Sequence, residues 1–270
     1  MKATLIIVLL SLSISSSCQN PKRNNSTLSN TKKTNIIFQE GQTIQERFSP
    51  PKGYSRIKTN TNSFAHYLQT LPLKQYDSPV LFYDGKKKPQ RGVYISVVNM
   101  EIDNRDLQQC ADAVMRLKGE YLFQQKKYEA IHFNFISDGK PRYYTEYANG
   151  DYSYVKFRKY MRYIFSYANT ASLYHEMVSV EDIYEMQIGD VFIQKGNPYG
   201  HAVIVVDMAI NKENGKKVYM LAQSYMPAQE TQILINPMNS KISPWYELNE
   251  KTINTPEWIF YPKDLRQFKD

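Results

Sequence analysis

The chain has 270 residues, 42% of them hydrophobic and 13% aromatic, which suits one globular domain with a small appendage. A mean hydropathy of −0.55 excludes a polytopic membrane protein. The formal charge is +8, spread along the chain apart from short runs such as Lys86-Lys87-Lys88. No nucleic-acid motif accompanies it, so no nucleic-acid partner is expected, and a basic surface facing an anionic envelope or acidic polymer is the simpler reading, with plain solvated loops as the alternative.

The N-terminus reads as a targeting segment. Lys2 is a charged start, Ala3 to Ile14 is an apolar stretch too short for a span, and Ser15-Ser16-Ser17 leads into Cys18. Residues 1–17 are thus expected to be a signal peptide. Residues 18–43, rich in Asn, Ser, Thr and Lys, read as a tether that cannot bury a core. The folded domain is expected over 44–270. The chain holds two cysteines, Cys18 and Cys110. With Cys18 engaged elsewhere, Cys110 has no disulfide partner.

Along the domain, Ser63 to Leu71 reads as a helix, and Val80 to Tyr83 and Val93 to Met100 as strands. A helix is expected from Asp103 to about Leu122, with Asp103 or Asn104 as its cap and Asp106 favouring its dipole. Leu107, Cys110, Val114, Leu117 and Tyr121 form its apolar stripe. Cys110 within the first two turns is either a small packing group or a thiol activated by the helix start and a nearby histidine.

Ala130 to Phe135 and Tyr143 to Tyr147 read as paired strands around Ser137-Asp138-Gly139. Phe157 to about Met177 reads as a tyrosine-rich helix ending near His175. The stretch Ile188 to Asp207 reads as two strands. The second, Ala202 to Val206, is apolar throughout and looks buried on both faces. At its mouth His201 follows Gly200, which permits close backbone approach. This histidine is either a satisfied strand-end residue or a proton-transfer group. Val218 to Gln223 forms the next strand, after an Asn214-Gly215 turn. Both tryptophans, Trp245 and Trp258, lie near the C-terminus and are expected to cover one side of the domain. There is no phosphate-binding glycine loop, paired-cysteine zinc site or His-Glu-x-x-His helix, so no cofactor or metal is expected.

Ser-Ser-Ser-Cys resembles the lipobox of bacterial lipoproteins, which implies a lipid on Cys18 and a membrane-anchored position in the bacterial cell envelope. NRDLQQCADAVMRL, GDVFIQKGNPYGHAVIVVD, LAQSYMPAQ, SPWY and TPEW together resemble an uncharacterised family of envelope lipoproteins known only as a domain of unknown function. More distantly, Gln-Cys at a helix start, a Gly-Asp strand, a Gly-His strand and a strand ending in a polar residue are similar to CHAP-type and NlpC-type cysteine amidases.

That likeness implies an α+β, papain-like core. A helix carrying Cys110 would pack on an antiparallel sheet carrying His201, with N-terminal strands and an inserted hairpin and helix added. It also implies Cys110 as nucleophile, His201 as base and Gln223 as the group orienting the base, with the Cys110 N–H in an oxyanion hole. The partner would be an envelope peptide or peptidoglycan fragment. The alternative is a non-catalytic lipoprotein using the same scaffold to bind peptidoglycan, glycan or protein.

The spacing strains these roles. Cys110 and His201 lie 91 residues apart (201 − 110). A plain hairpin centred on Asn214-Gly215 pairs residues summing to 429, which sets Gln223 opposite Val206, roughly 17 Å from His201. A bulge, a wider loop or another partner such as Gln229 or Asn236 is needed. Asp207 shares the face of His201 by alternation but sits about 20 Å along the strand.

Replacing Cys18 by Ser should release the protein from membranes. Fractionation and fatty-acid labelling check this, and a wild type without label contradicts it.

Overall fold

The computed structural model describes residues 36–89, 92–196 and 198–269. The signal-peptide, Cys18 and early tether assignments fall outside them. The apolar run expected at 202–206 belongs to a much longer strand, His201–Asn211, in which all but the last two residues are buried. Around it stands a nine-stranded sheet, with every pairing between its strands antiparallel. Its main path runs Tyr94–Val97, Gln232–Leu234, Lys217–Gln223, His201–Asn211, Val191–Gln194, Leu265–Gln267, Val178–Ser179. Two short strands complete it: Tyr54–Arg56 pairs with the far end of the long strand, and Tyr246–Glu247 with the start of Lys217–Gln223. With its packed helices the fold is mixed α+β.

The sheet is buried on both faces because its central strands alternate two apolar sets. Ala202, Ile204 and Val206 join the core beneath the helices, whereas Val203, Val205 and Met208 join a second core with Phe192, Phe260 and Leu265. The alternation slips once, between Val205 and Asp207, where the pairing with Lys217–Gln223 carries a bulge.

The helix expected from Asp103 begins at Cys110 and runs to Gln124. The acidic residues before it are engaged elsewhere. Asp103 pairs with Arg162, and Asp106 accepts from the Ala228 backbone N–H at 2.6 Å and the Gln109 side chain at 3.0 Å. Gln109 is the N-cap residue, and its own N–H is taken by Asp112 at 3.0 Å. Leu107 therefore lies ahead of the helix. Val114, Met115 and Leu117 are fully buried, but the opposite face is buried too. There Arg116 and Glu120 pair at 2.6 Å, and the Tyr154 hydroxyl donates to Glu120 at 2.9 Å.

Other elements depart from expectation for local reasons. The tyrosine-rich helix is two helices, Tyr154–Tyr167 and Thr170–Glu176, split where Asn169 caps the second. Strands His132–Asn134 and Pro141–Tyr143 form a separate hairpin, and Tyr144–Ala148 is helical rather than extended. Val80 to Tyr83 contributes isolated bridges instead of a strand. Packing begins before Ile44: Ile37 bridges Phe48, and Ile36 and Ile37 lie against the core, so residues 36–43 belong with the fold rather than the tether. The tryptophans part company. Trp245 is wholly buried in the helix-side core, and Trp258 packs on the other core.

Leu117→Ala should lose roughly 2–5 kcal/mol of stability. Lys118 lies over the Phe64 and Phe268 rings, so the exposed Gln124 is the better control, and Gln124→Ala should change little. Urea unfolding of the two variants checks this.

Candidate active site

Cys110 is the first helical residue, so its N–H has no carbonyl of its own helix to bond. Its sulfur lies 3.7 Å from the Thr170 hydroxyl, at the start of the following helix pair's second member, and 3.9 Å from the Gly200 carbonyl oxygen. The backbone N–H of Ala202 also bonds the sulfur. Those two backbone groups flank His201, so the thiol sits against the main chain on either side of the imidazole-bearing residue. Gly200 is required there. A Cβ at that position would stand 2.1 Å from the Gln194 oxygen and 3.0 Å from the Thr170 methyl.

The imidazole leaves the same strand end toward the opposite face. Its ring packs against Tyr225 at 4.8 Å, Trp258 at 5.3 Å and Phe260 at 5.9 Å between centroids. Tyr225 neighbours both groups, since the Cys110 charge also raises its hydroxyl pKa, after burial and Glu257.

His201 Nε2 is bonded to Gln223 Oε1 at 2.9 Å. The register explains how. The loop after Asn211 is wider than a two-residue turn, with Asn211 N–H donating to the Lys216 carbonyl at 2.8 Å. Met208 therefore pairs with Tyr219, a sum of 427. The bulge then brings Ile204 opposite Ala222, a sum of 426. Extending that register puts Gln223 two residues diagonally from His201, about 7 Å along the strand.

The other candidates are occupied. Asp207, shifted by the bulge, meets Arg56 at 2.8 Å and Gln69 at 2.7 Å beneath the helices. The Gln229 amide donates to the Pro227 carbonyl, and the Asn236 amide to the Trp245 carbonyl.

Beyond Gln223 the chain of bonds continues. Gln223 Nε2 donates to Glu257 at 2.6 Å, and Lys88 Nζ donates to both Glu257 oxygens at 2.8 Å. Ser224 Oγ lies within hydrogen-bond reach of the Gln108 and Gln229 carbonyls, tying the strand end to the segment before Cys110. Sequence reading gave no role to Lys88, Thr170, Ser224, Tyr225 or Glu257, although Lys88 stands in the noted lysine run and Ser224 and Tyr225 in the LAQSYMPAQ stretch. Glu257 and Trp258 stand in the TPEW stretch, the one signal that marked them. Among the described residues, no group of three His, Cys, Asp or Glu side chains gathers as metal ligands.

The family described as "Domain of unknown function (4846)" matches residues 44–152 and 139–267. The chain belongs to that family. No curated protein and no solved structure matches it. The family's match thus takes in Cys110, His201, Gln223 and Glu257, but its description carries no activity.

Electrostatically the site is neutral at rest. Burial raises the Cys110 thiol above its ordinary value, with the Thr170 hydrogen bond opposing. Burial lowers the His201 imidazole to about 4, with Gln223 opposing. The cysteine is 4% exposed and the histidine 1%. Nδ1 of His201 is buried without a hydrogen-bond partner among the described residues.

A histidine held neutral below its unfolded pKa destabilises the fold as the unfolded chain gains a proton. That loss is absent above about pH 6.5 and grows as pH falls toward 4. The wild type should therefore lose about 3 kcal/mol more than His201→Gln between pH 6.5 and pH 4. Parallel pH profiles in urea unfolding contradict the burial of this ring.

Proposed function

We propose that the protein is an envelope lipoprotein, tethered through Cys18, whose domain has a papain-like core and works as a cysteine amidase or peptidase on cell-wall or envelope peptides. The observation that carries this reading is the orientation of His201. Its Nε2 is engaged by Gln223 and its Nδ1 is left without a partner among the described residues, so Nδ1 is taken as the basic nitrogen. That nitrogen belongs to the residue whose two flanking backbone groups hold the Cys110 sulfur.

In the proposed reaction substrate entry brings the thiol round to Nδ1, which has no hydrogen bond to it at rest among the described residues. Nδ1 then takes the thiol proton, and the thiolate attacks the scissile carbonyl carbon. The imidazolium so formed is steadied by Gln223 Oε1, which accepts its Nε2–H. The N–H of Cys110, which has no carbonyl of its own helix to bond, faces the developing oxyanion. The imidazolium then returns the proton to the leaving amine, and a thioester remains on Cys110. Water, deprotonated by the same Nδ1, hydrolyses it and restores the thiol. A neutral imidazole is the form that accepts a proton, so the depressed pKa keeps the base available at neutral pH. The raised thiol pKa means that the ion pair forms as substrate enters, rather than before.

The closure of the site favours a second reading. Thiol and imidazole are both covered, as suits a packing cysteine and a satisfied core histidine in a scaffold that binds peptidoglycan, glycan or protein without cleaving it. Thr170, Tyr225 and Trp258 form the cover, and their displacement is what an enzyme requires.

Purified peptidoglycan and its stem peptides are the probes. The wild type should release new free amino groups, and Cys110→Ser and His201→Ala should each lower the rate at least about 10³-fold. No release above the protein-free control by a folded wild type leaves the non-catalytic reading in place, and equal release above it by wild type and Cys110→Ser removes Cys110 as the nucleophile.

A further inference from the structure

The bond from His201 to Gln223 does not by itself decide which nitrogen carries the proton. A carboxamide has an accepting end and a donating end, and rotation about its last bond exchanges them. Gln223 facing His201 with its NH2 would bond a lone pair on Nε2 and put the proton on Nδ1. The ring would then be turned into a donor toward the thiol, unable to take its proton.

What selects the end is the group on the far side of Gln223. Glu257 meets the Gln223 amide at 2.6 Å. A carboxylate only accepts, so the end that faces it is the NH2. Lys88 pairs with that group on its other side, its ammonium donating to both carboxylate oxygens at 2.8 Å. The pair is shielded: the Lys88 side chain is 4% exposed and that of Glu257 12%. Lys88 also stands 5.7 Å from the centre of the Tyr225 ring, the same ring that packs on His201. Donation thus converges on the carboxylate, from the Lys88 ammonium on one side and from the Gln223 amide on the other, which leaves the amide oxygen to accept from the imidazole.

We propose that Lys88 and Glu257 are positioning residues that fix the orientation of the Gln223 amide and thereby hold His201 as the Nε2–H tautomer, with Nδ1 as its only basic nitrogen. Their value for catalysis rests on the cysteine-hydrolase reading, whereas the tautomer itself does not. Burying an ion pair here costs solvation that an apolar pair of the same size would avoid. The polarity it imposes on Gln223 accounts for its presence. Lys88 is drawn from the charge run Lys86-Lys87-Lys88, whose other two members are exposed.

The test is the ¹⁵N spectrum of the His201 ring in the full-length protein at pH 7, with His201 assigned by its loss in His201→Gln. In the wild type Nδ1 should show the shift of an unprotonated ring nitrogen and Nε2 that of a protonated one. Glu257→Gln keeps the shape but offers Gln223 either a donor or an acceptor. It should raise the share of the Nδ1–H tautomer about tenfold, the ratio that one hydrogen bond is worth. Lys88→Arg, which retains a cation, should keep the wild-type shifts. A wild-type spectrum with the proton on Nδ1 overturns the proposal without any variant being made, and unchanged shifts in a folded Glu257→Gln overturn it as well. Peptide cleavage measured beside the spectra separates the two ideas. Loss of the tautomer preference with no cleavage in the wild type retains the positioning role and removes the hydrolase.

Discussion

One displaced residue in the long central strand sets the geometry of the site. The bulge between Val205 and Asp207 shifts the register of Lys217–Gln223 and brings Gln223 within reach of the His201 ring. The same slip turns Asp207 to the helix side, where Arg56 and Gln69 satisfy it. Without the slip, regular alternation would put a buried carboxylate on the face of His201 and carry Gln223 a further residue away. Gly200 works at the other end of the strand, where the absence of a side chain lets the backbone beside Gln194 and Thr170 close up against Cys110.

Burial then determines the protonation of what this geometry assembles. Desolvation acts in opposite directions on the pKa values of a thiol and an imidazole, and both effects favour the neutral form. A buried neutral pair costs less than a buried ion pair, so the resting site is compatible with a stable core. The nearby Asp112 follows the same rule: burial raises its carboxyl to about 8, leaving it chiefly protonated at neutral pH. Charge is tolerated in this region where it is matched, as in Lys88 with Glu257 and Arg116 with Glu120. The proposed chemistry accordingly depends on a substrate that displaces the cover of Thr170, Tyr225 and Trp258 and brings polar groups of its own.

Some of this was readable along the chain and some was not. The unbroken apolar run after Gly200-His201 announces a strand covered on both faces, because burial on two sides leaves no polar alternation. Gln-Cys near a helix start was visible for a similar local reason. The true start at Cys110 was not, since Asp103 looks like a cap and Asp106 like a dipole partner, and they are drawn off by Arg162 and by Ala228, far away in sequence. Periodicity also cannot foretell a bulge, so the reach of Gln223 looked too short by several residues. Lys88 and Glu257 stand 169 residues apart, and neither has a local pattern to betray a pairing across that separation. The tryptophans mislead for the opposite reason: closeness in sequence suggested one shared surface, while the sheet runs between them.

The central claim is that Cys110 carries the acyl group of an envelope peptide during its cleavage. Intact-mass measurement of acid-quenched mixtures of the protein and peptidoglycan stem peptides tests it most directly. The account predicts a transient acyl adduct that peptide mapping places on Cys110 and that Cys110→Ser lacks. Turnover of the peptides with Cys110 unmodified throughout, and undiminished in Cys110→Ser, would contradict it.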